Sequence, residues 1–222
     1  GLIHGKVNGK MHGANIRFAK VSVGATENVL LAAVLAEGTT RITGAAREPE
    51  VTALCEFLQS CGAKIQGVGS SCLIIHGVDS LDAGCIRVPA DRIVAGTYLL
   101  ATLAAGGSVW LEEAPCEQMR AVLHVAEEMG AICQVMQKGL YVQAPHILKS
   151  LKKLKTEEYP GFPTDLQSVA MVTALKAEGC CIIEERIFEN RFHVVKPLVE
   201  MGADLRIMDT RRVCVKGPSG LV

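Results

Sequence analysis

Thr164 and Asp165 stand at an abrupt change of character in residues 159–176, which read YPGFPTDLQSVAMVTALK. Pro160, Gly161 and Pro163 are incompatible with helix or central strand, and an apolar helical run follows them. Pro163 biases Phe162 toward an extended backbone, and Thr164 or Asp165 is the natural cap of the next helix. A carboxylate fixed at a helix start by a stiff loop suits a binding or acid/base residue, but an ordinary N-cap is the more common case. A second candidate is Lys20-Val21-Ser22-Val23-Gly24-Ala25-Thr26, read as a strand running into a helix whose first amides and dipole favour a phosphate. It lacks the full P-loop or GxGxxG pattern, and a capped helix with no ligand fits it as well. Arg47-Glu48-Pro49-Glu50 and Phe188-Glu189-Asn190-Arg191-Phe192 are charged junctions for which a solvated surface is the plain alternative. The six histidines (His4, His12, His76, His124, His146 and His193) show no ligand spacing, and no GxSxG element is present.

These candidates are placed by an internal repeat. Ala36-Glu37-Gly38-Thr39-Thr40, Ala105-Gly106-Gly107-Ser108-Val109 and Ala177-Glu178-Gly179-Cys180-Cys181 each follow an apolar helix and open a β-rich run. About 25 residues later each copy reaches a Gly-Ala step, at Gly62-Ala63, Gly130-Ala131 and Gly202-Ala203, and the copies are about 70 residues apart. In the first copy, Val21-Ser22-Val23 reads as a short strand and a helix follows through Leu35, closed by Gly38 as its C′ residue. Residues 39–43 form a strand. Pro49 takes the N1 position of a helix over 50–61, with Val51, Leu54, Cys55 and Leu58 on one stripe, and Gly62 stops it. Residues 63–66 and 72–76 complete a hairpin. The unit is βαβαββ, and the fold class is an α/β repeat with helices gathered inside under mixed sheets. Ahead of it, residues 1–19 read as a hairpin turning at Asn8-Gly9. Residues 149–155 are a basic run in a linker. The junction of Thr164 and Asp165 is shared by all three copies: its counterparts are Lys20 to Thr26 and Pro89-Ala90-Asp91-Arg92-Ile93.

Composition narrows the function classes. The 222 residues carry 23 Lys plus Arg and 23 Asp plus Glu, a balance that gives no argument for nucleic acid or an acidic membrane surface. Aromatic residues are only 4% of the chain, so the core is aliphatic. No apolar run approaches the roughly 20 residues that span a bilayer. Nine cysteines without a CxxC pair, mostly beside Val, Leu and Ile, read as buried thiols of a reducing, cytoplasmic compartment rather than metal ligands. The chain begins without Met and reads as a fragment.

The strings KVSVGAT (20–26), AEGTT (36–40), AAREPE (45–50), FPTD (162–165) and FENRF (188–192), in this order, resemble the UDP-N-acetylglucosamine enolpyruvyl transferase family over the whole chain. The resemblance implies six βαβαββ units in two three-unit domains, the inside-out α/β barrel arrangement, of which three units are present here. Residues 1–85 would be the last repeat of the first domain with a leading hairpin, and 86–222 two repeats of the second (about 86–150 and 151–222). The implied reaction transfers the enolpyruvyl group of phosphoenolpyruvate to the 3-hydroxyl of UDP-N-acetylglucosamine, the first committed step of peptidoglycan synthesis. No cofactor or metal is implied. By resemblance, Lys20, Val21, Ser22 and Val23 contact the UDP portion, Ile187 touches the sugar-nucleotide through its backbone, and Asp165 is the base for the 3-hydroxyl. Gly24, Arg47, Glu48, Glu50, Asp91, Arg92, Thr164 and Phe188 complete the cleft, with Arg191 near the reacting anionic groups. The family's proton donor would lie outside this sequence, so no cysteine here takes that role and the piece alone is expected to be inactive. The alternatives are a 3-phosphoshikimate 1-carboxyvinyltransferase of the same fold and a non-catalytic repeat fragment.

Overall fold

The computed structural model describes residues 4–220. It divides the chain into two units, one running to Pro89 and the other starting at Ala90.

The first unit holds one repeat: β1 (Asn15–Arg17), α1 (Val23–Ala33), β2 (Thr39–Thr43), α2 (Pro49–Ser60), β3 (Lys64–Gln66) and β4 (Cys72–His76). The sheet order is β1-β2-β4-β3, with β1 parallel to β2 and the other pairs antiparallel. Alternation along β2 and β4 turns Ile42, Leu73 and Ile75 inward, where they meet Leu30 of α1 and Val51, Cys55 and Leu58 of α2. The α2 assignment and the β3–β4 hairpin stand as expected, with Pro49 at the first helical position and Gly62 at φ +98° just past the end.

Three local expectations in this unit do not stand. Among the described residues there is no hairpin around Asn8-Gly9, and residues 1–3 of that assignment lie outside them. Gly9 does adopt φ +87°. The chain after it, however, runs parallel to β2, with Gly13 N–H bonding the Glu37 carbonyl (2.7 Å) and Arg41 N–H that of Ala14 (2.9 Å). A Cβ on Gly13 would lie 2.3 Å from the Thr39 carbonyl oxygen, so glycine lets the edge close there. Val21 and Ser22 are not a strand. Ser22 is the N-cap of α1 and Val23 already its first residue. That helix ends at Ala33, well short of Gly38, which turns at φ +86° into β2.

The second unit holds two repeats. The first is α3 (Arg92–Ala105), β5 (Ser108–Glu112), α4 (Arg120–Glu128), β6 (Ile132–Met136) and β7 (Gly139–Gln143), with sheet order β5-β7-β6. It lacks an opening strand among the described residues. The second is β8 (Lys153–Lys155), α5 (Gln167–Ala174), β9 (Gly179–Glu184), α6 (Val195–Glu200), β10 (Asp204–Asp209) and β11 (Arg212–Gly217), with order β8-β9-β11-β10. The basic run at 149–155 is therefore partly an edge strand, with Lys153 ion-paired to Glu184, rather than a linker. Helices α3 and α5 lie side by side inside. The Thr173 hydroxyl reaches the Leu100 carbonyl at 3.1 Å, and Gly96 leaves room for Leu166. Around them Leu99, Leu103, Met171 and Leu175 join Leu140 and Val142 of β7, Ile183 of β9 and Val213 and Val215 of β11 in one core.

The close of each four-stranded repeat depends on a glycine. A Cβ on Gly77 would lie 1.6 Å from the Ala36 carbonyl oxygen, and one on Gly217 would lie 2.4 Å from that of Ala177, so the last strand of each copy touches the end of its first helix. Gly77→Ala is expected to destabilise the first unit by about 1–3 kcal/mol through forced overpacking. The check is urea unfolding followed by circular dichroism. Fluorescence of Trp110, in the second unit, should report an unchanged transition there.

Candidate active site

The three equivalent helix starts are built differently. At α1 the Ser22 side chain accepts from Ala25 N–H (3.2 Å), and Thr26, fully buried, donates to the Ser22 carbonyl (2.8 Å) and accepts from Ala46 N–H (3.0 Å). This ordinary cap satisfies one of the first-turn amides and leaves those of Val23 and Gly24 at the helix end. Space beside Gly24 is open. At α3 the Asp91 carboxylate caps twice, on Ile93 N–H (2.7 Å) and Val94 N–H (3.1 Å).

The third start breaks the pattern. Residues 157–162 fold into a loop closed by Glu157 N–H on the Phe162 carbonyl (3.0 Å), and Phe162 is buried as the loop's anchor. Pro163 is extended (φ −69°, ψ 136°), and Thr164–Leu166 form a 3-10 turn leading into α5. Neither Thr164 nor Asp165 caps a helix, contrary to the local expectation. Both side chains are bonded to Arg191 instead. The Arg191 guanidinium donates to the Thr164 hydroxyl (2.8 Å) and to Asp165 Oδ1 (2.9 Å), and its carbon sits 5.2 Å from the Phe188 ring centre. A cation over an aromatic face is held in place by the ring's quadrupole as well as by its hydrogen bonds.

Arg191 is brought there by the turn after β9. Asn190 takes φ +57°, and Phe192 and Val195 are buried behind it. The turn is organised by Glu185, fully buried, whose Oε1 accepts from Ile187 N–H (2.9 Å) and Phe188 N–H (3.0 Å) and whose Oε2 accepts from the Thr164 hydroxyl (2.9 Å). Because the Phe188 N–H is fixed on Glu185, the Ile187 carbonyl of the same peptide plane is turned away from that carboxylate. Arg211 donates to the Glu185 carbonyl (3.2 Å) and to Glu189 (2.8 Å). Arg92, next to the capping Asp91, lies over the Tyr159 ring at 5.5 Å and so meets the Pro-rich loop from α3.

The structure thus brings together Thr164, Asp165, Ile187, Phe188 and Arg191, with Arg92 on the loop beside them. Lys20, Val21, Ser22, Val23, Gly24, Arg47, Glu48 and Glu50 belong to the other unit, where Glu48 precedes Pro49 at the start of α2. Sequence reasoning missed Glu185, Tyr159 and Arg211. For Glu185 a signal existed. Cys181 and Ile183 are the inward residues of β9, and the same alternation puts Glu185 on the core side. A charge at an inward phase asks for partners.

The model of the EPSP synthase (3-phosphoshikimate 1-carboxyvinyltransferase) family matches residues 3–218. The chain belongs to this family. Among curated relatives, it is 47% identical over 215 residues to the UDP-N-acetylglucosamine 1-carboxyvinyltransferase of Zymomonas mobilis, covering 97% of this chain and 50% of that protein. It is 43% identical over 209 residues to the enzyme of the same name from Sulfurimonas denitrificans, covering 93% and 49%. The chain spans about half the length of the curated relatives it matches. Its fold is that of the enolpyruvyl transferase NikO from Streptomyces tendae, with a TM-score of 0.80 at 23% identity over 89% of this chain and 47% of that one.

Next to the candidate site residues an ionic clasp ties β9 to β8. Glu184 ends β9 and is held by Lys153 of β8 and by Arg186 (2.8 Å), which also pairs with Glu157 at 2.7 Å. The Lys153 bond first, and then that of Arg186, lower its carboxyl from the usual 4.5 to about 2. A depressed carboxylate contributes stability above its unfolded pKa and loses it on protonation. The second unit should therefore lose stability as pH falls from about 4.5 toward about 2. Urea midpoints read from Trp110 across this window should show the loss. Glu184→Gln should flatten that part of the pH dependence.

Proposed function

We propose that this chain is part of a UDP-N-acetylglucosamine 1-carboxyvinyltransferase, taking UDP-N-acetylglucosamine and phosphoenolpyruvate as substrates. One observation carries the reading. Asp165 alone of the three equivalent polar residues is withheld from helix capping and held by an arginine, half-exposed, on a turn braced from both sides. In that place it serves as general base. It takes the proton of the sugar 3-hydroxyl while that oxygen forms its new bond to the enolpyruvyl carbon, and phosphate departs. The Ile187 carbonyl fits a polar group of the sugar-nucleotide. In the first unit, taken by itself, the amides of Val23 and Gly24 with Lys20 before them form a helix start of the kind that suits a phosphate group. Arg191 and Arg92 supply positive charge for the anionic groups of the reaction. A cytoplasmic setting and a place in peptidoglycan synthesis accord with this substrate pair and with nine free thiols.

The shikimate-type reading keeps the same fold and the same enolpyruvyl donor, and it is the activity for which the family is named. The relatives at 43–47% identity favour the sugar-nucleotide. The deciding experiment supplies the full-length protein carrying this sequence with phosphoenolpyruvate and either acceptor, and follows phosphate release. Turnover with UDP-N-acetylglucosamine and none with shikimate 3-phosphate is expected. Asp165→Asn should lower kcat by about two to four powers of ten, the usual worth of a positioned acid or base. Full activity in that variant would remove Asp165 from the mechanism.

A further inference from the structure

Glu185 is the one fully buried carboxylate among the described residues, and no solvent completes its hydrogen bonds. A buried charge persists only where its oxygens are bonded well. Here Oε1 takes two backbone amides, of Ile187 and Phe188, and Oε2 takes the Thr164 hydroxyl. These bonds have fixed directions. Thr164 gives its only proton to Glu185, so toward Arg191 it can act only as acceptor, and Arg191 donates to it at 2.8 Å. The second terminal nitrogen of Arg191 then points at Asp165 Oδ1 at 2.9 Å. Three contacts between residues 21 to 27 positions apart in sequence are thereby linked in series.

We propose that Glu185 is a positioning residue of the active site, setting the place of the Asp165 carboxylate through Thr164 and Arg191 and the direction of the Ile187 carbonyl through the Phe188 amide. It touches no substrate. The inference rests on the reading of Asp165 as the base. Glu185→Gln keeps the shape and one oxygen for the amides. It brings an NH2 group, which can only donate, to the second lone pair of a hydroxyl that already accepts from Arg191, so the Thr164 proton loses its acceptor and the charge-assisted bond that fixes the middle of the series is lost.

In the full-length protein, Glu185→Gln should lower kcat about tenfold to a hundredfold, the scale of a misplaced reacting group, with the KM for UDP-N-acetylglucosamine little changed. Thr164→Val should have a similar effect. The double variant should be no worse than the poorer single one, because both cut the same series. Losses that multiply, or a Glu185→Gln enzyme with reduced thermal stability but wild-type kcat, would overturn the proposal. A second readout does not involve catalysis. In the 222-residue chain the Arg191 Nε–H resonance should be ordered, and Glu185→Gln should make it mobile, whereas an unchanged resonance would count against the proposal. Full turnover by Asp165→Asn would sink the base reading alone, and the Arg191 signal would still decide whether Glu185 holds the arginine.

Discussion

A carboxylate sealed from water must find every hydrogen bond within the protein, and at Glu185 this requirement organises the surrounding chain. Two of its acceptor positions are filled by the amides of Ile187 and Phe188 in the turn after β9, which fixes how the backbone leaves the sheet. The third is filled by Thr164 from a different element, which fixes the 3-10 turn against that exit. The burial of Phe162 on one side and Phe192 on the other anchors both pieces in the aliphatic core. Neither loop needs regular secondary structure to be well placed, since each is tied at a buried polar point and a buried aromatic one.

The repeat architecture explains why this arrangement occurs once. All three copies bring an extended segment into the start of an inner helix, and each start presents amides that need acceptors. Ser22 and Asp91 answer that need in their own copies. In the third copy a 3-10 turn precedes α5, the Leu166 N–H bonds the Pro163 carbonyl, and no side chain is required as cap. The polar residues at this position are then available for other partners, and Arg191 supplies them. Departure of one copy from the common pattern at a common position has a local cause here, in the stiffness of the segment around Pro160 and Pro163.

What the sequence made legible follows the range of the interactions involved. The repeat, the Pro49 helix start and the β3–β4 hairpin depend on residues close together in the chain, and local patterns announce them. The Asn8-Gly9 hairpin failed because Gly9 has the right backbone while the partner strand is β2, more than twenty residues on. The strand read at Val21-Ser22-Val23 failed because the Ser22 cap starts the helix at Val23. Asp165 was legible as an unusual residue, either a cap or a binding or acid/base group, yet its partner Arg191 is 26 positions away and no local pattern could choose between the two. Glu185 sat in plain view among charged neighbours, and only the inward phase set by Cys181 and Ile183 marked it.

The clasp between Arg191 and Asp165 adds little to stability, since pairs this exposed typically contribute about 0–1 kcal/mol. Its worth lies in direction. A free aspartate at a loop end samples several rotamers, and a base that must meet one hydroxyl gains from having one orientation. Arg191 can impose that orientation because it is itself restrained three ways, by Thr164, by the face of Phe188 and by the buried residues that follow it. With Oδ1 occupied, Oδ2 is the oxygen left to receive a proton, and the carboxylate remains half-exposed, so a substrate can reach it. A cap would have turned that same carboxylate onto backbone amides. Freeing it from capping and fixing it from the turn after β9 are two halves of one structural solution.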